Sequence, residues 1–496
     1  MEYSRDNLFL TGKAGTGKST LLNYFKKITR KNIVILAPTG VSALNVGGQT
    51  IHSFFRFKPD ITEDKIEKLK EKSVKIYKKL ETIVIDEVSM VRADLMDYID
   101  IFLRKNLNNN IPFAGKQMIF IGDLYQLPPV VKSDEKNIFK EKYQSQYFFD
   151  SNVFKKIDIR FVELEKIYRQ SEKEFITILN KIRNNTIDEH DLNLLNKKVR
   201  LPKKGENYLV YLTPLNKTAT EINERELHSL NKKIYSFPAY IEGEFNETDY
   251  PTDAKLKLCV GAQVMFLNND KNERWANGTL GKIVDFEISE EGEYSVIVEK
   301  EDGDIVKVKP YKWEIFKYIY DEKNKKITTQ TIGSFTQLPL KLAWAITIHK
   351  SQGKTFDKVC IDLSSGVFAH GQTYVALSRC RTIEGLYLKT PIKKRHIIMD
   401  RKIVHFLTNQ QYSISEKNLP QEIKKEIIDK AIKNKKKLEI TYLKTTDEKS
   451  KRVIEPISFE KIIFGNKEIE GVKAYCHTRK AERFFKVDRI LNIKTV

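Results

Sequence analysis

Several things are scarce in this 496-residue chain. There are only four cysteines, Cys259, Cys360, Cys380 and Cys476, far apart and with no CxxC or His pairing. That excludes a disulfide scaffold or a zinc module and suits reduced thiols inside a cell. No run of 18 apolar residues occurs, so no membrane span is expected. The first residues lack a basic, then apolar, then small-residue pattern, so no export signal is expected. Internal repeats and low-complexity tracts are also missing. Charged residues are 31% and hydrophobic residues 41%, a balance that suits a folded soluble protein.

What the chain has in excess is positive charge. Lys plus Arg is 87 against 66 Asp plus Glu, a net +21. Such an excess favours a polyanionic partner, because each cation set on a phosphate releases a condensed counterion. About +12 of it falls within residues 391–496, which marks the C-terminal part as a separate basic unit. Any single run, such as Lys435-Lys436-Lys437, is equally well a solvated face.

Short apolar runs fill the first half: Asn7–Leu10, Ile33–Ala37, Thr82–Ile85 and Met118–Ile121. Each ends in a polar or Gly-containing turn, as buried strands of a parallel sheet do. Residues 240–330 alternate and are rich in turns, which predicts a small antiparallel barrel or sheet. A polar stretch follows residue 412, and a domain boundary is expected at 412–420.

Gly12-Lys13-Ala14-Gly15-Thr16-Gly17-Lys18-Ser19 fits GxxxxGK[ST] between an expected strand and a helix opening at Thr20. Backbone amides of such a loop wrap phosphate, with the helix N-terminus adding partial positive charge. Lys18 then reaches the β- and γ-phosphates and Ser19 ligands Mg²⁺. Asp86 and Glu87 close the strand Thr82–Ile85, so Asp86 can hold Mg²⁺ and Glu87 can activate water. A MgATP hydrolysis site is expected.

Further blocks follow in order: Ala37-Pro38-Thr39-Gly40; Gln49-Thr50-Ile51-His52-Ser53-Phe54-Phe55; Asp86-Glu87-Val88-Ser89-Met90; Gly122-Asp123-Leu124-Tyr125-Gln126; Tyr168-Arg169-Gln170; Thr347-Ile348-His349-Lys350-Ser351-Gln352-Gly353-Lys354; and Tyr374-Val375-Ala376-Leu377-Ser378-Arg379. In this order they resemble the motifs of superfamily 1B helicases, most of all the Pif-type (petite integration frequency) DNA helicases. The resemblance covers roughly residues 7–395.

The resemblance implies an α/β fold of two RecA-like P-loop domains and a 5′-to-3′ DNA translocase. It implies RecA-like domain 1A at 1–165, with a small insertion (1B) at about 56–80. RecA-like domain 2A would take 166–239 and 331–412, with an inserted β-barrel (2B) at 240–330. Gln126 would sense the γ-phosphate. Arg169 and Arg379 would be arginine fingers from the second domain, with Gly353 beside the nucleotide. Thr39, His52, Ser53, Phe54, His349 and Ser351 would lie along single-stranded DNA. Phe54 and the two histidines suit a packed interior as well. Trp344 fits a core or a base platform, and Tyr374 fits packing or a nucleotide contact. One departure stands out: relatives carry an adenine-reading Gln upstream of the loop, and none occurs among the eleven residues before Gly12. Phe154 stands where Trp is common.

Residues 420–496 resemble a WYL domain, a small β-rich module, with Tyr442-Leu443 after Thr441. Tyr442, Arg452, Tyr475, His477, Arg479 and Arg483 are candidate DNA contacts, expected to alternate on one strand face; a basic sheet with an aromatic core is the alternative. The resemblances together imply ATP and Mg²⁺ as cofactors. They imply single-stranded and duplex or fork DNA as partners, with G-quadruplex DNA a further substrate. They also imply a monomer and a bacterial, cytoplasmic, nucleoid-associated location. DNA against RNA is open at this point.

Overall fold

The structure is a computed structural model that describes residues 1–58, 61–131, 135, 139, 141–202, 206–288, 294–464 and 467–496. The chain divides into two compact units, Met1–Ile182 with Ile187–Ile398, and Met399–Val496 with Arg183–Thr186. No described helix is long and apolar enough to cross a membrane.

The first unit begins with a six-stranded parallel sheet. Its strands are β1 (Asn7–Gly12), β2 (Ile33–Ala37), β3 (Gln49–Thr50), β4 (Thr82–Ile85), β5 (Gln117–Ile121) and β6 (Ile159–Leu164), in the spatial order β3-β2-β4-β5-β1-β6. β2, β4 and β5 are almost wholly buried, which is why they read as unbroken apolar runs. The carboxyl ends of β1, β4 and β5 lie side by side, and in open α/β sheets ligands bind beyond such ends. A second parallel sheet has the order Ala345–Thr347, Leu209–Thr213, Lys358–Ile361, Leu386–Leu388. Its core includes Val210, Leu212, Val359 and Cys360, all buried.

Between the second sheet's strands Leu209–Thr213 and Ala345–Thr347 the described chain forms antiparallel sheets of five, three and two strands. Strand structure begins at Tyr235 and ends at Leu342. A five-stranded antiparallel sheet, including Leu340–Leu342, packs around Phe266, Trp275, Val296 and Val308. A separate long hairpin, Tyr311–Asp321 with Lys326–Gln337, pairs with Tyr240–Gly243. This hairpin is too long for the small core, and it reaches the first sheet. The Ile35 amide donates to the Tyr318 hydroxyl at 3.1 Å.

Residues 56–80 contain a 3₁₀ turn, Glu63–Lys65, and a helix, Glu71–Lys79, that packs on the helix Ala93–Leu107 and on the long hairpin. Residues 59–60 of that expected insertion lie outside the described residues.

The expected boundary at 412–420 is corrected to 398–399. The helix Arg401–Asn418 runs straight through the polar stretch. It belongs to the C-terminal unit, because Ser415 donates to the Leu491 carbonyl at 3.0 Å and accepts from the buried Lys424 ammonium at 2.8 Å. Polar residues there satisfy one another within a packed face, so polarity did not mean linker. The unit's sheet has five antiparallel strands, ordered Ala481–Lys486, Lys467–Cys476, Lys449–Phe464, Leu438–Leu443, Ile490–Thr495.

Candidate functional site: two clefts in the first unit

The loop after β1 leads into the helix Lys18–Ile28, with Gly17 in the left-handed region at its N-cap. Gly15 also has positive φ, and a Cβ there would lie 2.4 Å from the Cβ of Arg169. Only glycine admits that approach. The Tyr168 amide donates to the Gly15 carbonyl at 2.8 Å, so the segment after β6 is tied to the loop. The Lys18 ammonium donates to the carbonyls of Gly12 (2.7 Å) and Lys13 (3.1 Å).

This loop forms one wall of a cleft of ≈ 970 Å³. Ala14, Gly15, Thr16, Gly17, Lys18, Ser19 and Thr20 line it, with Glu87 and Gln126 from the first sheet. Gly353, Arg379 and Arg381 enter from the second sheet's side. Gly12 lies just behind the lining, where a Cβ would meet the Leu164 carbonyl at 2.7 Å.

Asp86 is buried and Glu87 is part-buried where it lines the cleft, and removal from water disfavours their charged forms. Asp86 is pushed up by burial. Glu87 is pushed up to about 7 by burial and then by the adjacent Asp86 charge. Glu87 also has φ 50, unusual for a residue with a Cβ. Adjacent carboxylates, one buried and one facing the cleft that Ser19 also lines, offer the oxygen donors a hard dication takes, so the donor set fits Mg²⁺. Gln126 donates to Asp123 at 3.3 Å and accepts from Gln352, across from the second sheet, at 3.5 Å.

The arginines are placed differently from expectation. Arg169 follows β6 and is bound up with the phosphate loop, so it is not carried by the second sheet. Its guanidinium reaches across to the carbonyls of Gly353 (3.3 Å) and Ser378 (3.5 Å). Arg379 does lie on the second-sheet side. It is only 1% exposed, and its guanidinium donates to the Val375, Ser351 and Lys354 carbonyls and to the Ser378 hydroxyl. Burial and the nearby Arg169 charge lower it to about 9.

Tyr374, which the sequence leaves between packing and a nucleotide contact, is packed and touches the phosphate loop itself. It is buried, and its hydroxyl accepts a hydrogen bond from the Ala14 amide at 3.2 Å. Arg381 lines the cleft and Asp123 lies behind Gln126, and neither was singled out by the sequence; Gln352, expected beside Gly353 at the nucleotide, contacts Gln126. Asp123 lies within a quoted motif, which was the available signal.

A second cleft, ≈ 790 Å³, runs past the N-terminus of the helix Gly40–Val46. Thr39, His52 and Ser53 line it, facing Glu244, Asp249 and Phe316. Thr39 caps the helix by accepting from the Ser42 amide at 3.2 Å. His52 is lowered by burial and by the Arg92 charge. His349 is half-buried and lowered by burial alone, and it is not among this cleft's lining residues.

Two expected strand contacts are corrected. Phe54 is buried in an aromatic cluster with Phe55, Tyr77 and Tyr318, so its ring has no free face to offer a base. Ser351 is fully buried and donates to the Ile348 carbonyl at 2.7 Å, so its hydroxyl serves the turn. Trp344 is partly buried and packs against the core.

Sequence comparison decides the family. Residues 1–193 match the PIF1-like helicase family. The ATP-dependent DNA helicase Pif1 of Bdellovibrio bacteriovorus is 32% identical over 414 residues, covering 81% of this chain and 88% of the relative. The chain belongs to the PIF1-like helicase family. It is a Pif1-family DNA helicase and an ATP-hydrolysing enzyme.

Among solved structures, Bacteroides sp Pif1 with ADP-AlF4 superposes with a TM-score of 0.74 at 40% identity, covering 81% of this chain and 92% of that one. Bacteroides Pif1 bound to ssDNA gives 0.59, covering 84% and 94%. The fold of this PIF1-like chain is thus two RecA-like domains followed by a WYL domain, which matches residues 425–495.

Within the WYL sheet the candidate residues do not share one face, which corrects that expectation. Tyr442 pairs with Ser450, Arg452 with Ile440, and Arg483 with Ala474, and this row continues the buried face of Ile440, Ile454 and Phe485. Tyr475 pairs with Glu455 and Glu482 on the opposite face. Tyr442 packs edge-on against Phe485 with centroids 5.3 Å apart. Arg452 reaches the Cys476 sulfur at 3.8 Å. His477 contacts Glu455 at 2.9 Å, and Arg479 lies in the following turn.

Proposed function

We propose that this helicase moves 5′ to 3′ on single-stranded DNA and opens duplex or forked DNA at the expense of MgATP. One observation carries the proposal: Lys18, Glu87 and Gln126 share a single cleft with Arg169, Gly353 and Arg379. A nucleotide in such a cleft ties two sheets together, and its hydrolysis loosens them.

In this account the loop amides of Gly15 to Ser19 and the Lys18 ammonium take the phosphates. Ser19 and Asp86 would hold Mg²⁺, which neutralises charge on the phosphate oxygens. Glu87 orients and deprotonates water, and Gln126 reports the γ-phosphate through Gln352. Arg169 and Arg379 supply fixed positive charge to the transferring group. Thr39, His52, Ser53 and His349 attend the strand. Polarity follows from the motif resemblance, as does a capacity for G-quadruplex DNA. The chain acts as a monomer, in the bacterial cytoplasm and close to the nucleoid. Arg452, Arg479 and Arg483 of the WYL domain provide a second nucleic-acid contact that regulates the motor, with Tyr475 at the opposite face.

The test is a strand-separation panel of 5′-tailed, 3′-tailed and blunt duplexes, with the intact chain and Lys18→Ala. Opening of the 5′-tailed substrate alone, abolished in the variant, is expected. ATP hydrolysis stimulated by single strands without any strand separation would leave a nucleotide-gated clamp as the better account.

A further inference from the structure

A polar cavity of ≈ 580 Å³ adjoins the first cleft, and Arg381 lines both. Asp270, Arg274, Lys300, Glu301 and Asp357 line the cavity with it. Arg381 stands two residues after Arg379, on a segment bridged to Phe356. The Phe356 amide donates to the Arg379 carbonyl at 2.9 Å, and the Arg381 amide donates to the Phe356 carbonyl at 3.1 Å. The backbone of both arginines is thereby held, and what differs between them is the freedom of the side chain.

Arg379 is committed. Its guanidinium is buried and donates to three carbonyls and a hydroxyl. Its charge acts on Glu87, at the end of the cleft where water would be oriented. Arg381 is not committed. Its side chain is 57% exposed, and it pairs at 2.9 Å with Asp357, which is 54% exposed. The Arg381 and Asp357 charges both act on Glu301, on the cavity's side of the wall. An ion pair so open to water contributes little, because solvent screens it and both side chains must be held still. A carboxylate and a phosphate offer a guanidinium the same kind of paired oxygens. Replacing one by the other therefore costs little and gains a charge-assisted contact. The exchange requires only that the arm turn about a fixed base, from the cavity into the cleft.

We propose that Arg381 binds the phosphates of the nucleotide that are not transferred, and that Asp357 holds it on the cavity side until nucleotide fills the first cleft. Arg381 thus serves affinity for ATP and ADP alike, while Arg169 and Arg379 serve the transferring group. The inference rests on the reading of the first cleft as the MgATP site.

The test is a double-mutant cycle on the full chain: Arg381→Gln, Asp357→Asn and both together, with Lys18→Ala as the reference. Binding of a fluorescent ADP and of a fluorescent non-hydrolysable ATP analogue is read by anisotropy, and steady-state hydrolysis gives KM and kcat. Arg381→Gln should weaken both nucleotides by roughly tenfold, raise KM by a similar factor and change kcat less than about threefold. Asp357→Asn should tighten both by about two- to threefold, because it releases the arm. That gain should vanish in the double variant, whose affinities should match those of Arg381→Gln. Both side chains are exposed, so melting temperatures should stay within a few degrees of the intact chain.

A gain from Asp357→Asn that survives without Arg381 overturns the exchange, because it would be a through-space effect of the lost carboxylate charge. Unchanged nucleotide affinity in Arg381→Gln overturns the binding role. Unchanged ADP affinity with kcat down by more than about a hundredfold also overturns it, and makes Arg381 a further arginine finger. Failure of the underlying reading looks different: Lys18→Ala would then bind both nucleotides as the intact chain does.

Discussion

The hydroxyl of Tyr374 accepts a hydrogen bond from the amide of Ala14 at 3.2 Å, joining the helix before Arg379 to the phosphate loop 360 residues away. The hydrogen bond ties the phosphate loop to the helix that precedes Arg379. Tyr374→Phe removes the hydroxyl that accepts from Ala14 and keeps the ring. A hydrogen bond of this kind is worth about 1 kcal/mol, or roughly fivefold in an equilibrium. The KM for ATP should rise by about that factor, with kcat changed less than about twofold, in a steady-state assay.

Gly15 and Arg169 make a tighter demand. Gly15→Ala would set a methyl 2.4 Å from the Arg169 Cβ at a φ of +78. Either the loop or the segment after β6 must move. Binding of a fluorescent ATP analogue should fall by more than about tenfold, while melting of the protein shifts by only a few degrees.

Glu87 gives a prediction with a defined sign. Its folded value of about 7 lies above the ordinary 4.5. Its contribution to stability is therefore fully present below about 4.5 and is lost as pH rises through 7. Glu87→Gln should raise the melting temperature at pH 8 and leave it nearly unchanged at pH 4.5. ATP turnover should drop by at least about a hundredfold in the same variant. A variant no more stable than the parent at pH 8 would mean the carboxylate is not desolvated.

The corrected boundary at 398–399 is testable by dissection. A piece spanning 399–496 keeps the helix Arg401–Asn418 on its sheet and should melt cooperatively by circular dichroism. A piece starting at 413 loses the first two-thirds of that helix, including Ile403, Val404 and Leu407, which are buried. It should melt at a markedly lower temperature or without a cooperative transition.

These cases show what the sequence could carry. The phosphate loop was legible because strand, glycines, Lys18, Ser19 and helix are consecutive, and local geometry needs them in that order. Asp86 and Glu87 were legible for the same reason. Phe54 was not, because stacking on a base and packing on Tyr77 demand the same ring. Residues 412–420 misled, because Ser415 and Lys424 satisfy each other out of water and only the packed helix reveals it. The Ala14–Tyr374 contact depends on chain segments brought together by folding, and no spacing encodes it. The alternation at 240–330 gave antiparallel strands correctly but could not say that one hairpin would leave the small core for the first sheet.

The central claim is that nucleotide in the first cleft and strand in the second are energetically linked. Linkage is reciprocal for binding free energies. The most direct measurement is oligothymidylate affinity in the presence of ADP-AlF4, ADP and no nucleotide, paired with nucleotide affinity with and without the oligonucleotide. The account predicts strand affinities that differ several-fold among these states, and a matching factor in the nucleotide affinity. Equal strand affinity in all three states, with nucleotide binding indifferent to DNA, would contradict it.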